Sequence, residues 1–384
     1  MNVNRATLIA ALSLASKVIP TSGRTTLLSH ARLRCLPGQR LELAATSLET
    51  SLVVEMPFAG EALSTPTLAP IAWLLKLLKA TTDDEVVMDR NTVNAITMYE
   101  GGPDDLKPED FPEVPDHSSF IAAQIPGLTA AMLFAYDAAS VDPQRFTLNH
   151  VQVIATKKGV TVNATDGHRL YRQQLPSAGV TVAKLIPSGL LDLCAFKKLI
   201  PTDQFAYDTK YIALRVDGQG LTGWAISKEV SGQFPNCDSV TPQDSSTVLQ
   251  VALNPTDALG ILKQAIAAST EARPASIDLV VRDGALFLHP TGRNIELLVP
   301  NAKPVGPDMI IGMNGHYLRG ALLNLTAPVI ALHAETPGKP IWFNEGRGKT
   351  RRIIVIMPMR TNYAGLVKID GKDAAVESIQ SASV

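Results

Sequence analysis

Ile71, Leu74, Leu75 and Leu78 fall at i, i+3, i+4 and i+7, the spacing of one buried helix face, and predict a helix over about residues 69 to 81. Lys76 and Lys79 lie together off that face. The alternating run Val160-Thr161-Val162-Asn163 predicts a strand instead, leading into Asp166-Gly167, a turn in which the glycine is free to take positive φ. Applied along the chain, the same reading predicts six helices, at about residues 5–18, 69–81, 126–140, 187–200, 254–271 and 314–325. Strands are expected between them, near 27–35, 41–56, 85–89 and 93–99, then 146–155, 160–163, 170–175, 211–216 and 221–226. A last group is expected near 277–281, 286–289, 295–299, 329–333, 341–344 and 352–357.

This order of elements repeats. Thr46, Thr165 and Thr291 close comparable strand runs and stand 119 and 126 residues apart. Phe111-Pro112, Phe234-Pro235 and Met357-Pro358 are each 123 apart. Two independent markers with one spacing argue for three tandem units, too long for solenoid repeats and of domain size. The expected organisation is three structurally similar α+β domains, at 1–118, 119–245 and 246–361, with a C-terminal tail at 362–384. Each has two helices and a larger number of strands.

A chain of 384 residues that is 46% hydrophobic can bury several cores. Its net charge of -1 gives no global sign of a nucleic-acid partner, but the charge is unevenly placed. The six predicted helices together carry +4 and the remainder carries -5. If the helices share one surface, that surface is basic on an otherwise acidic molecule, the footprint of contact with a phosphate backbone. Cys35, Cys194 and Cys237 are an odd count without ligand spacing, which points to plain thiols in a reducing compartment. The apolar run after Arg5 continues as an amphipathic helix through Lys17 to Ile19, and no run approaches a membrane span, so a cytoplasmic protein is expected.

Catalytic chemistry has one foothold, Asp166, His168 and Arg169, which could be read as the acid-base site of a hydrolase. The equivalent positions in the other units hold Ser47 and Gly292, and no HExxH, Walker or glycine-rich phosphate motif occurs. No catalytic residue, metal or cofactor is expected.

Several motifs together resemble the bacterial DNA polymerase III β subunit, the sliding clamp family, over about residues 1 to 360. They are Ala164-Thr165-Asp166-Gly167-His168-Arg169-Leu170, Phe111-Pro112-Glu113-Val114-Pro115, Gly232-Gln233-Phe234-Pro235, Tyr317-Leu318 with Leu322-Leu323, and Val355-Ile356-Met357-Pro358-Met359-Arg360. The resemblance implies a ring-forming head-to-tail homodimer, with helices lining a pore and antiparallel sheets outside. It implies a processivity factor that encircles duplex DNA without reading its sequence. Expected partners are a replicative DNA polymerase, a clamp loader and other proteins carrying clamp-binding peptides. Its hydrophobic peptide cleft maps onto Leu148, Thr165, Gly167, His168, Arg169 and Leu170, with Pro242 and Val248 from the second connector. Val355, Met357, Pro358, Met359 and Arg360 form its C-terminal side. Arg24 lies near a loop that faces DNA in the family, and charge and helix placement add Lys76, Lys79, Lys198, Lys263 and Arg319 as DNA-facing candidates.

Two departures stand out, weak family identity around Thr21 to Thr26, beside Arg24, and the C-terminus. The family commonly ends one residue after the arginine equivalent to Arg360 with a leucine, whereas here Thr361 follows and 23 more residues run to Val384. A tail that starts beside the cleft is expected to be mostly mobile and able to cover part of it. The departures also fit a specialised or mobile-element clamp with altered partners.

Overall fold

A computed structural model describes residues 1–20, 27–89, 92–94, 96–97, 106–194, 203–270, 275–361, 363, 367–369 and 372–374. Among the described residues six α-helices are found: α1 Arg5–Val18, α2 Ile71–Ala80, α3 Leu128–Tyr136, α4 Ser188–Cys194, α5 Pro255–Ala268 and α6 Gly315–Asn324. Their starts follow from local chemistry. Asn4, Asn254 and Asn314 each accept from backbone N–H groups of the first turn with the side-chain oxygen, which satisfies donors that the helix leaves orphaned. In α5 the next residue is Pro255, whose missing N–H costs nothing there. Helix α3 has no capping side chain of its own, because its N-cap is Gly127; Asp203 reaches in and accepts from Gly127 N and Thr129 N at 2.7 and 2.8 Å.

Contacts group the chain into two compact units, residues 1–164 with 173–234, and residues 165–172 with 235–384. In the first, strands run in the order Thr67–Pro70, His30–Leu36, Arg40–Thr46, Thr50–Ala59, Leu221–Lys228, Tyr211–Gly218, Gln204–Tyr207, Ile121–Gln124. Asn2–Asn4 pairs with Thr50–Ala59 and with Glu85–Val87. Repeats divide the chain by likeness and compact units divide it by contact. Most of the first two expected domains falls in one unit, where Thr50–Ala59 hydrogen-bonds antiparallel to Leu221–Lys228 in a register from Thr50 opposite Ser227 to Glu55 opposite Thr222. Gly223 permits that approach, since a Cβ there would lie 2.1 Å from the Val53 carbonyl oxygen. Helices α1 and α2 pack together, and the inward face of α1 buries Leu8, Leu12 and Leu14.

In the second unit, Arg352–Ile356, Ile341–Glu345, Ile330–Ala334, Leu249–Leu253 and Lys303–Val305 form one antiparallel run. A four-stranded sheet has the order Leu297–Leu298, Ala285–Pro290, Ser276–Arg282, Met309–Asn314. Helices α5 and α6 pack on each other, and both contact this sheet. The expected strand over 146–155 is shorter than its apolar pattern suggests. Residues 146–150 form turns, closed by Leu148 N donating to Arg145 O and Ser140 N donating to Leu148 O, and the strand begins at Val151. In the tail, Val367–Ile369 pairs antiparallel with Lys372–Ala374.

Candidate functional site

Thr165 to Leu170 form a hairpin tip whose shape is set by three side chains. The Thr165 hydroxyl donates to Arg169 O at 2.6 Å and accepts from Gly167 N at 3.0 Å. One oxygen of Asp166 accepts from His168 N and Arg169 N at 2.9 and 3.0 Å, and the other accepts from Arg169 Nε at 3.2 Å. Gly167 takes φ of 89°, where a side chain would be strained. The Asp166 carboxylate is thus spent on the turn. That gives Asp166 a structural role in place of the acid-base one.

Beyond the tip, the Arg169 guanidinium lies 4.8 Å from the centroid of the Tyr317 ring, and His168 stacks on the same ring at 6.4 Å. Met357 N donates to His168 O at 2.9 Å, which holds the C-terminal segment against the hairpin. From the connector, Arg172 bonds to the Thr241 hydroxyl and to Asp238. These elements surround a cleft of about 270 Å³. It is lined by Thr165, Gly167, His168, Arg169, Leu170, Pro235, Asn236, Cys237, Ser239, Val240, Val355 and Met357. Leu170 and Val355 are buried in its walls, whereas Met357 and Val240 are 40% and 47% exposed at its mouth. Burial pushes the Cys237 thiol up to about 11, so it behaves as a small apolar group.

Of the cleft residues expected from sequence, the structure brings together Thr165, Gly167, His168, Arg169, Leu170, Val355 and Met357. Pro358 and Met359 are half-buried and Arg360 exposed just beyond the lining, with Met359 N donating to Gly312 O at 2.7 Å. Pro242 is half-buried and Val248 is 51% exposed; neither is part of the lining. Leu148 belongs to the first unit, half-buried in its own turn. Sequence reasoning missed the stretch from Pro235 to Val240, although Phe234-Pro235 marks the end of a repeat. It also missed Tyr317 as the platform for Arg169.

A second concavity, of about 460 Å³, lies in the first unit and repeats the same backbone joint: Lys228 N donates to Glu49 O at 3.0 Å, as Met357 N does to His168 O. Its walls are polar, with Lys17, Ser47, Glu49, Thr50, Ser188, Ser227 and Lys228. Burial keeps the pKa of its His150 below the usual histidine value. The apolar, adaptable lining is found at only one of the two joints.

Among the DNA-facing candidates, Lys76 and Lys79 are exposed on α2, Lys263 on α5 and Arg319 on α6. Arg24 and Lys198 lie outside the described residues. Among the described residues no group of His, Cys, Asp and Glu could hold a metal, and no helix is long and apolar enough to cross a membrane.

No protein-family model matches the chain. A relative described as the beta sliding clamp of Synechococcus elongatus is 25% identical over 371 residues, covering 91% of this chain and 96% of the relative. Over nearly its whole length the chain is thus similar to a β sliding clamp. Solved structures agree in fold. The DNA polymerase β subunit of Streptococcus pyogenes superposes with a TM-score of 0.79 at 16% identity, covering 94% of this chain and 99% of that one. The Pseudomonas aeruginosa sliding clamp bound to griselimycin gives 0.78 at 20%, with the same coverage. The Thermotoga maritima β subunit gives 0.77 at 18%, again with 94% and 99% covered.

Proposed function

We propose that this chain is a DNA polymerase processivity factor. It acts as a sliding clamp that closes around duplex DNA as a homodimer and tethers a polymerase and other proteins through a peptide cleft. The observation that carries the reading is the cleft beside Met357, an apolar concavity rimmed by Arg169 and His168 and built on a hairpin that the repeat logic singles out. Leucine, valine and methionine walls suit an inserted apolar side chain, a glycine turn lets a peptide backbone approach, and cationic or aromatic groups fix polar atoms at the rim. The exposed Lys76, Lys79, Lys263 and Arg319 support a sequence-blind DNA contact, and a closed ring needs only weak phosphate attraction to stay on. A clamp loader from the same cytoplasm would open the ring. No catalytic role is assigned, and Asp166 and His168 serve the turn and the rim.

Retention on nicked circular DNA compared with the same DNA linearised, after loading, tests this. Retention on circles with loss from linear ends, together with a dimer mass by light scattering, is the expected result. Equal retention on both forms, or a monomer that never dimerises, would overturn the topological reading. Griselimycin, bound by the Pseudomonas aeruginosa clamp, is the first probe for the cleft. Binding that Met357→Glu abolishes is expected.

A further inference from the structure

The C-terminal segment does not leave the molecule at Arg360. It crosses one face of the four-stranded sheet of the second unit, where Asp278 stands opposite both His289 and Gly312. Gly312 and Met359 form a backbone bridge, and a Cβ on Gly312 would lie 2.7 Å from Met359 O, so a glycine lets the segment lie flat on the strand. Tyr363 N then donates to the Thr361 hydroxyl at 3.1 Å. The Tyr363 ring meets His289 edge-on, with centroids 5.0 Å apart. Its hydroxyl donates to Glu296 and accepts from Arg282 Nη1 at 3.1 Å, while Arg282 Nη2 bonds to Glu296 at 2.9 Å. Arg282 also lies 5.3 Å from the centroid of Phe287. Burial and Glu296 raise the Tyr363 phenol, which therefore keeps its proton as the donor.

Met357, in the cleft wall, and Tyr363 are only six positions apart, a tether of at most about 22 Å fully extended. The wall is pinned at one end by His168 and at the other by this clasp.

We infer that Tyr363 is a positioning residue for the cleft: by clasping Arg282 and Glu296 it holds Met357 to Arg360 against the sheet, so the C-terminal extension props the cleft open instead of filling it. This rests on the cleft reading above, and it reverses the sign expected of an occluding tail. A segment docked before the ligand arrives spares the entropy of ordering it on binding.

The test uses the full chain and four variants: Tyr363→Ala, Tyr363→Phe, deletion of 364–384, which keeps the clasp, and deletion of 362–384, which removes it. Griselimycin affinity is measured by calorimetry. In ligand-free protein, the methyl signals of Met357 and Met359 are followed by NMR after selective methionine labelling. Tyr363→Ala and deletion of 362–384 are expected to weaken binding about five- to tenfold and to shift both methyls, with the melting temperature unchanged. Tyr363→Phe, which keeps the ring on His289 and loses the hydroxyl, should fall between. Deletion of 364–384 should match the parent in both readouts.

Parental affinity and methyl positions in Tyr363→Ala would overturn the inference, as would tighter binding on deletion of 362–384, the mark of an occluding tail. If the parent itself fails to bind griselimycin, the cleft reading is at fault. The ligand-free methyl shifts then decide the clasp alone: shifts in Tyr363→Ala support it, and none refutes it.

Discussion

A buried carboxylate beneath a crossing strand is costly, and Asp278 is 1% exposed with neither oxygen in a well-formed hydrogen bond to the described residues. Burial pushes its carboxyl above the ordinary value of 3.8, while the nearby Thr361 hydroxyl and His289 pull the other way. In the folded state the group holds its proton to higher pH than in the unfolded state. Stability therefore falls as pH rises above about 3.8, until the folded-state carboxyl has ionised, and the penalty then persists. Asp278→Asn is expected to raise the melting temperature by a few degrees at pH 8 and to leave it nearly unchanged near pH 3.5. An equal shift at both values would show that ionisation is not the cause. At the hairpin, Asp166→Ala removes acceptors for His168 N and Arg169 N together with the tie to Arg169 Nε. A loss of about 1–2 kcal/mol is expected from denaturant unfolding, the size of a lost cap. A looser cleft rim should accompany it, because Arg169 then loses its tie to Asp166. Unchanged unfolding would mean that Gly167 and the Thr165 hydroxyl hold the turn alone.

Arg5–Val18, Pro255–Ala268 and Gly315–Asn324 were legible to within a few residues, and in each the apolar spacing and the asparagine cap before it agree; residues 195–200 of the helix expected at 187–200 lie outside the described residues. Several of the strands that escaped notice run into helices. Asn2–Asn4, Leu249–Leu253, Thr67–Pro70 and Met309–Asn314 each end at or next to the residue that caps the following helix. In so short a strand the period of two has no room to show before the helical period takes over. The cleft was legible at Thr165 to Leu170 and at Val355 and Met357, where motif and geometry coincide. It was illegible from Pro235 to Val240, a loop whose side chains carry no period and meet the hairpin only through tertiary contacts such as Arg172 with Asp238. The strand junction of the first unit makes a prediction at this scale. Gly223→Ala would set a methyl 2.1 Å from Val53 O and 2.7 Å from Val54 Cα, both backbone atoms that cannot turn aside. A destabilisation of at least ~3 kcal/mol is expected, at the upper end of single substitutions. Parental stability would require the two strands to separate locally, which hydrogen exchange at Leu52 to Val54 would reveal.

Taken as one molecule, the chain uses one backbone joint twice and gives it two chemistries. Lys228 N on Glu49 O is walled by charges and hydroxyls, whereas Met357 N on His168 O is walled by leucine, valine and methionine. Repetition of fold therefore does not repeat the site, since side chains decide what each joint can hold. Charge follows a comparable logic. A net charge of -1 hides helices that together are basic, with Lys76 and Lys79 adjacent and exposed on α2. If those two lysines meet phosphate, replacing both with glutamine removes two counter-ion releases per protomer. The slope of log affinity for duplex DNA against log salt should then fall in magnitude by roughly 0.9 for each lysine that had neutralised a phosphate. The solution mass and the cleft should stay as in the parent, because α2 lies in the first unit and the cleft in the second. An unchanged salt slope would remove α2 from the DNA surface and leave Lys263 and Arg319, on α5 and α6, as the next pair to replace.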